Sequence, residues 1–203
     1  MSAVLNAPRF ADAEAYLAWE ELQPERHEYV DGQVRPSTET TIGHNLINGN
    51  VLLALRTILR GTASKVYAIE VKLCIGVAGD MVYPDVVVTD DPRDGPSNPA
   101  HYINQPWLIA EVLSDSTAAY DRGRKFELYR SIDTLTHYLL IEQTRPYAEL
   151  FFRNEQGLWV LQPLQADGVI PIERLGQPWP VASLFEGVDF TPASSPATPP
   201  PAP

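Results

Sequence analysis

The 203-residue chain is predicted to fold as one mixed α/β (α+β) domain, a central mixed β-sheet flanked by helices. Three observations predict it. Helix-like and strand-like apolar patterns follow one another without strict alternation. Three runs, Met81 to Thr89, Pro106 to Leu113 and Thr136 to Glu142, carry enough apolar residues to be core strands. The length suits one domain with a real core, and 44% hydrophobic with 20% charged residues is a globular composition.

The elements follow in order. Phe10 to Glu21 has apolar residues at helical offsets, with Asp12 near its start, and Pro24 ends it. His27 to Pro36 reads as a hairpin around Asp31-Gly32, one of the strongest two-residue turn signals. Thr40 to Arg60 is the longest helical pattern, with Ile42, Leu46, Ile47, Val51, Leu52, Leu55 and Leu59 on one broad face and Gly61 as its stop. Lys65 to Ile75 and Met81 to Thr89 read as an antiparallel strand pair across the loop Gly76 to Asp80. Asp90 to Gln105 is loop, rich in Pro, Asp and Asn, and Pro106 to Leu113 is the next strand. Ser114 to Thr117 supplies cap residues for a helix over Ala118 to Ile132. Thr136 to Glu142 is a further core strand, and Tyr147 to Arg153 with Leu158 to Leu161 form a last hairpin. The Pro-, Ala-, Ser- and Thr-rich stretch from Thr191 to Pro203 cannot pack a core and is expected to be disordered. No internal repeat is present.

Composition narrows the function. A net charge of −11 argues against indiscriminate nucleic-acid binding, which Lys and Arg drive. No apolar run approaches the roughly 18 residues of a membrane helix, and the N-terminus lacks the basic and apolar segments of a secretory signal. No membrane partner is expected, and the cytoplasm is the expected compartment. The single cysteine, Cys74, excludes an intrachain disulfide or multi-cysteine zinc site and is read as a buried small apolar residue. Phosphate-loop, nucleophile-elbow and His-Glu-x-x-His motifs are absent, and His27, His44, His101 and His137 lack ligand spacing.

The chemistry lies in two carboxylates. Asp85 opens the apolar run Val86-Val87-Val88, and Glu111 lies inside Trp107 to Leu113. An isolated ionised carboxylate in a sheet interior is costly. Two of them about 4 Å apart repel by ~4 kcal/mol at an effective dielectric near 20. A metal ion or a shared proton neutralises such a pair, and a divalent cation on oxygen ligands points to metal-assisted hydrolysis. In the following helix Asp121, Lys125 and Tyr129 recur at i, i+4 and i+8 on one face. Asp121 is read as orienting Lys125, and Tyr129 as core. The segment Arg122-Gly123-Arg124-Lys125, with Arg130, is the cluster that could meet phosphate.

The residues resemble a known family. Pro84-Asp85 on one strand, Glu111 on a later one and a lysine-bearing helix resemble the PD-(D/E)xK nuclease superfamily. Glu28 to Gly32, His44, Tyr83 to Val88, Glu111 to Thr117, Asp121, Lys125, Tyr129 and His137 to Glu142 are similar to one branch of it, the Uma-two restriction endonuclease family. The resemblance covers roughly Phe10 to Phe185. It implies a restriction-endonuclease-like domain over residues 10–190 after an N-terminal extension of residues 1–9. It also implies a four-stranded mixed sheet, a Mg²⁺ or Mn²⁺ cofactor, and cleavage of nucleic-acid phosphodiesters, with DNA as the substrate. By the resemblance, Asp85, Glu111 and Glu28 are metal ligands and, with Lys125, the catalytic set; His44 and Asp121 are accessory. One position departs from the superfamily pattern: Leu113 stands where the lysine two after the glutamate is usual. Lys125 takes that role here, with Lys72 of Glu70-Val71-Lys72 as the alternative. A homodimer is expected, from exposed hairpins near the C-terminus and the need to cut both strands. Two rival readings stay open: a non-catalytic interaction module that kept the fold, and a metal-dependent hydrolase of another phosphate ester.

Overall fold

The computed structural model describes residues 8–37, 41–68 and 71–190. Helix α1 (Ala13–Glu20) starts at Asp12, whose carboxylate accepts the Ala15 amide at 2.9 Å. Strands β1 (His27–Val30) and β2 (Gln33–Pro36) form the expected hairpin. Its turn needs positive φ at both central residues, and Asp31 (53°) and Gly32 (73°) supply it. Helix α2 (Ile42–Ile58) is capped by the Thr41 hydroxyl, which accepts the His44 amide at 3.0 Å.

The expected pair of long strands is instead two pairs of short ones in different sheets. Lys65 to Ile75 divides into β3 (Lys65–Ala68) and β4 (Lys72–Ile75); Met81 to Thr89 divides into β5 (Asp80–Val82) and β6 (Val86–Thr89). Pro84 has no N–H to continue a ladder, so the chain changes sheets at Tyr83-Pro84-Asp85. The expected loop 90–105 holds a short strand, β7 (Tyr102–Ile103). Next come β8 (Leu108–Leu113), a helical segment over residues 118–129, β9 (His137–Glu142), β10 (Tyr147–Arg153) and β11 (Trp159–Gln165). A final small pair, β12 (Val169–Ile170) and β13 (Trp179–Pro180), was not anticipated from the sequence.

The main sheet has six strands, not four, in the order β11-β10-β9-β8-β6-β3; β8 and β9 are parallel and the other pairs antiparallel. A second, five-stranded sheet runs β2-β1-β5-β4-β7. The main sheet is packed on both faces. On one, Val86, Val88, Leu108, Ala110 and Val112 meet Ile47, Val51 and Leu55 of α2. On the other, Val87, Ile109 and Leu113 meet Phe126 and Tyr129 of the helical segment and Val30, Leu73 and Val82 of the second sheet. Alternation along β8 therefore sends Glu111 with Ile109 and Leu113 to this second face, while Asp85, one residue before β6, reaches both Glu111 and the first turns of α2.

Cys74 is half-buried beside the cluster of Tyr16, Tyr29 and Met81, more open than expected. Among the described residues no helix is long and apolar enough to cross a membrane. The Thr191–Pro203 stretch, Glu70, Thr40 and residues 1–7 lie outside the described residues.

Candidate active site

Where the two sheets and the helical segment meet, a cavity of about 270 Å³ is lined by Glu28, His44, Asp85, Glu111, Asp121 and Lys125, among others. The register of β6 on β8 builds its floor. Val86 pairs with Ala110, so the next row outward sets Asp85 beside Glu111. The two are laced together: the Asp85 amide donates to Glu111 Oε2 at 3.2 Å, and the Val112 amide donates to Asp85 Oδ2 at 2.7 Å. His44 Nε2 lies 2.9 Å from Asp85 Oδ1, and Asn48 Nδ2, one helical turn on, lies 3.5 Å from the same oxygen.

Lys125 fills the cluster from the helical segment. Residues Ala118–Tyr120 (α3) and Phe126–Tyr129 (α4) are α-helical, and Asp121–Lys125 between them is a wider π-helical turn. Lys125 Nζ donates to Glu111 Oε1 at 2.8 Å and lies 3.5 Å from Asp121 and 3.6 Å from Glu28. The Tyr129 hydroxyl donates to the same Glu111 oxygen at 2.7 Å, so Tyr129 is a core residue that also braces the site carboxylate. Glu111 is 2% exposed and Lys125 is 6% exposed. Burial pushes the Glu111 carboxyl above the usual carboxylate range, with Lys125 pulling the other way. Burial likewise opposes the Lys125 ammonium, but Glu111, Glu28 and Asp121 together hold its pKa well above the usual lysine value. Lys125 therefore stays a cation at working pH.

Three sequence expectations change here. Lys72 does not line the cavity: Leu73 points into the shared core, so its neighbour Lys72 points to the opposite face, with its ammonium 5.6 Å from the Tyr83 ring centre. Glu28 does not complete a three-carboxylate metal seat. Its Oε1 faces Lys125 and accepts the Tyr83 amide at 3.3 Å, and among the described residues no three His, Cys, Asp or Glu side chains group to hold one ion. The basic helix offers the cavity no free charge beyond Lys125: Arg122 is paired with Glu142 and Glu149, Arg124 with Asp31 and Glu127, and Arg130, exposed with its guanidinium 5.2 Å from the Phe126 ring centre, does not line the cavity.

The donor chemistry nevertheless fits a hard divalent cation. Four carboxylates line the cavity against one ammonium, Asp85 and Glu111 are adjacent, and the lining holds no thiol. Mg²⁺ is held by one or two carboxylates with waters completing its shell, so these two suffice. Sequence reasoning passed over Asn48, Tyr120 and Arg35, which support Asp85 or line the cavity. The i, i+4 spacing of His44 and Asn48, and the hairpin register that sets Arg35 opposite Glu28, were the available signals.

The model of the Uma2 family, described as "Putative restriction endonuclease", matches residues 13–184. The chain belongs to the Uma2 family. One relative, "Uncharacterized protein slr1290" of Synechocystis sp. (strain ATCC 27184 / PCC 6803 / Kazusa), is 36% identical over 177 residues, 87% of this chain and 92% of that protein. A second protein of that organism, "Uncharacterized protein sll1609", is 29% identical over 164 residues, 81% of this chain and 93% of its own. Among solved structures, one titled as a putative nuclease belonging to DUF820 from Anabaena variabilis ATCC 29413 superposes with a TM-score of 0.69. It covers 87% of this Uma2 chain and 98% of its own at 14% identity, which establishes a shared fold.

Proposed function

We propose that the chain is an endonuclease that hydrolyses DNA phosphodiester bonds with a divalent cation, Mg²⁺ or Mn²⁺, held by Asp85 and Glu111. The observation that carries this reading is the contact of Lys125 with Glu111 at 2.8 Å, on the floor of a cavity that Asp85 also lines. It supplies, from the following helix, the lysine that is missing at Leu113. Membership of a family described as "Putative restriction endonuclease" supports the same reading.

Each side chain has a derivable part. The chemistry a bound divalent cation supplies is a more acidic attacking water and a polarised phosphoryl oxygen. Lys125 remains protonated, so it is not the base. Its preorganised charge stabilises the negative charge that builds on the phosphoryl oxygens. Glu28 and Asp121 hold that ammonium in place. His44 orients Asp85, and Tyr129 orients Glu111. A homodimer would let two such sites cut opposite strands, and light scattering on the purified protein measures that state.

A non-catalytic module is the second reading, favoured by one observation. Every carboxylate oxygen of Asp85 and Glu111 already meets a protein donor. A Mn²⁺-supported plasmid cleavage assay, with calorimetric titration of Mg²⁺ and Mn²⁺, separates the two. Wild type is expected to bind metal and nick plasmid, and Asp85→Ala and Lys125→Ala to abolish nicking, with far-UV circular dichroism confirming their fold. No metal binding by wild type would favour the module. Metal binding without cleavage of any nucleic acid would point to another phosphate ester.

A further inference from the structure

We propose that Arg35 is the residue of this site that binds a nucleic-acid phosphate, with Tyr120 as the platform that holds its guanidinium over the cavity. The proposal deepens the nuclease reading and rests on it.

A substrate strand brings one negative charge per phosphate to a cavity already lined by four carboxylates. The divalent cation of the nuclease reading would offset part of that repulsion, and a free side-chain cation at the cavity would offset more. Lys125 is committed to Glu111, Glu28 and Asp121, and Arg122 and Arg124 are each paired with two carboxylates. Arg35 also lines the cavity, is exposed, and makes no ion pair among the described residues.

Its placement follows from register. Arg35 is the cross-strand partner of Glu28, and directly opposed residues project from the same sheet face, here toward the cavity. Glu28 is the neighbour with which Arg35 would ordinarily pair, but Glu28 faces Lys125. The guanidinium carbon lies instead 5.3 Å from the centre of the Tyr120 ring, which also lines the cavity. A cation–π contact replaces no ion pair, so the guanidinium keeps a fork of N–H donors that can match two phosphate oxygens. The arm is also fixed relative to the catalytic lysine. The turn of its hairpin is tied down by Asp31, which receives the Arg124 guanidinium at 3.1 Å and donates its amide to Asp80 at 2.9 Å. Arg124 is the residue before Lys125, so this pair links the hairpin that carries Arg35 to the segment that carries the lysine.

The test measures binding and cleavage separately. Fluorescence anisotropy with a labelled oligonucleotide duplex, in Ca²⁺ and between about 50 and 200 mM salt, compares wild type, Arg35→Ala, Arg35→Lys and Arg35→Glu. Arg93→Ala, at a remote exposed pair with Asp91, serves as the charge control. Arg35→Ala is expected to weaken binding about tenfold and to flatten the salt slope by roughly 0.9, the value for one lost phosphate contact. Arg35→Lys should recover part of the affinity, Arg35→Glu should lose more, and all should melt with wild type. Plasmid nicking by Arg35→Ala at saturating DNA should keep most of its rate, with the loss in KM. If wild type binds and nicks while Arg35→Ala shows the same affinity and slope, or loses kcat alone, the Arg35 assignment falls and the nuclease reading stands. If wild type binds no nucleic acid, both fall together.

Discussion

Lys125 and His137 show how burial acts on single charges in opposite ways. The Lys125 ammonium is buried among Glu111, Glu28 and Asp121, and their attraction outweighs the cost of desolvation. Among the described residues His137, at the start of β9, pairs with no carboxylate: Thr136 Oγ1 at 2.8 Å, the Trp107 ring and the charge of Arg174 surround it. Burial first, and then Arg174, push its pKa down from 6.5 to about 4. The folded imidazole therefore stays neutral where the unfolded one takes up a proton. The stability it contributes is complete above pH 6.5 and is lost as pH falls toward 4. A shift of that size corresponds to at most about 3 kcal/mol. His137→Gln is expected to flatten the acid limb of the stability profile, read from urea midpoints across that pH range. An unchanged slope in the variant would assign the limb to the carboxylates. Of the residues in the cavity, Asp85, Glu111 and Lys125 were legible in the sequence because each breaks a pattern: a charge in an apolar run, or a lysine repeating at helical spacing. Arg35 breaks none, and its position became visible only through a cross-strand partner.

At the scale of elements, the helix expected over Ala118 to Ile132 shows how local pattern and tertiary demand differ. The i, i+4, i+8 face of Asp121, Lys125 and Tyr129 is real, but the Asp121–Lys125 turn is π-helical, an extra-residue widening that often marks functional sites. No propensity in Asp-Arg-Gly-Arg-Lys announces it. The contacts that the turn accommodates are long-range: Arg122 reaches Glu149, Arg124 reaches Asp31 and Lys125 reaches Glu111. Deleting the exposed Gly123 should tighten the turn and rotate what precedes it by about 100° relative to Lys125. Plasmid nicking is then expected to fall about 100-fold or more, the scale of a misplaced catalytic group. Circular dichroism should report an otherwise native fold; full activity in the deletion would show the turn has no part in placing Lys125. The β5–β6 division is the converse case. The sequence read Met81 to Thr89 as one strand through Pro84; the pairing partners, β4 and β1 for β5 and β3 and β8 for β6, divide it between two sheets.

For the whole molecule, the decisive feature is one strand feeding two cores. Leu108, Ala110 and Val112 of β8 enter the α2 side, while Ile109 and Leu113 enter the side shared with the second sheet. Neither core can lose its packing without stripping β8 from the other, so unfolding should be one cooperative transition. Tryptophan fluorescence senses the first core through Trp107 and Trp179, the second through Trp159, and the Tyr16, Tyr29 and Met81 cluster of the second sheet through Trp19. It should give the same urea midpoint as far-UV circular dichroism, whereas two separated transitions would make the five-stranded sheet an independent unit. By itself the sequence determined the mixed α/β class, the core strands, the Asp31-Gly32 hairpin and the two carboxylates, because periodicity and turn chemistry act between near neighbours. Only the tertiary structure decided which charges are spent and which are left. Arg122 meets Glu142 and Glu149, Arg124 meets Asp31, and Glu28 turns to Lys125, all across long stretches of chain. Electrostatic partners are set by distance in space, and a local pattern carries no record of it.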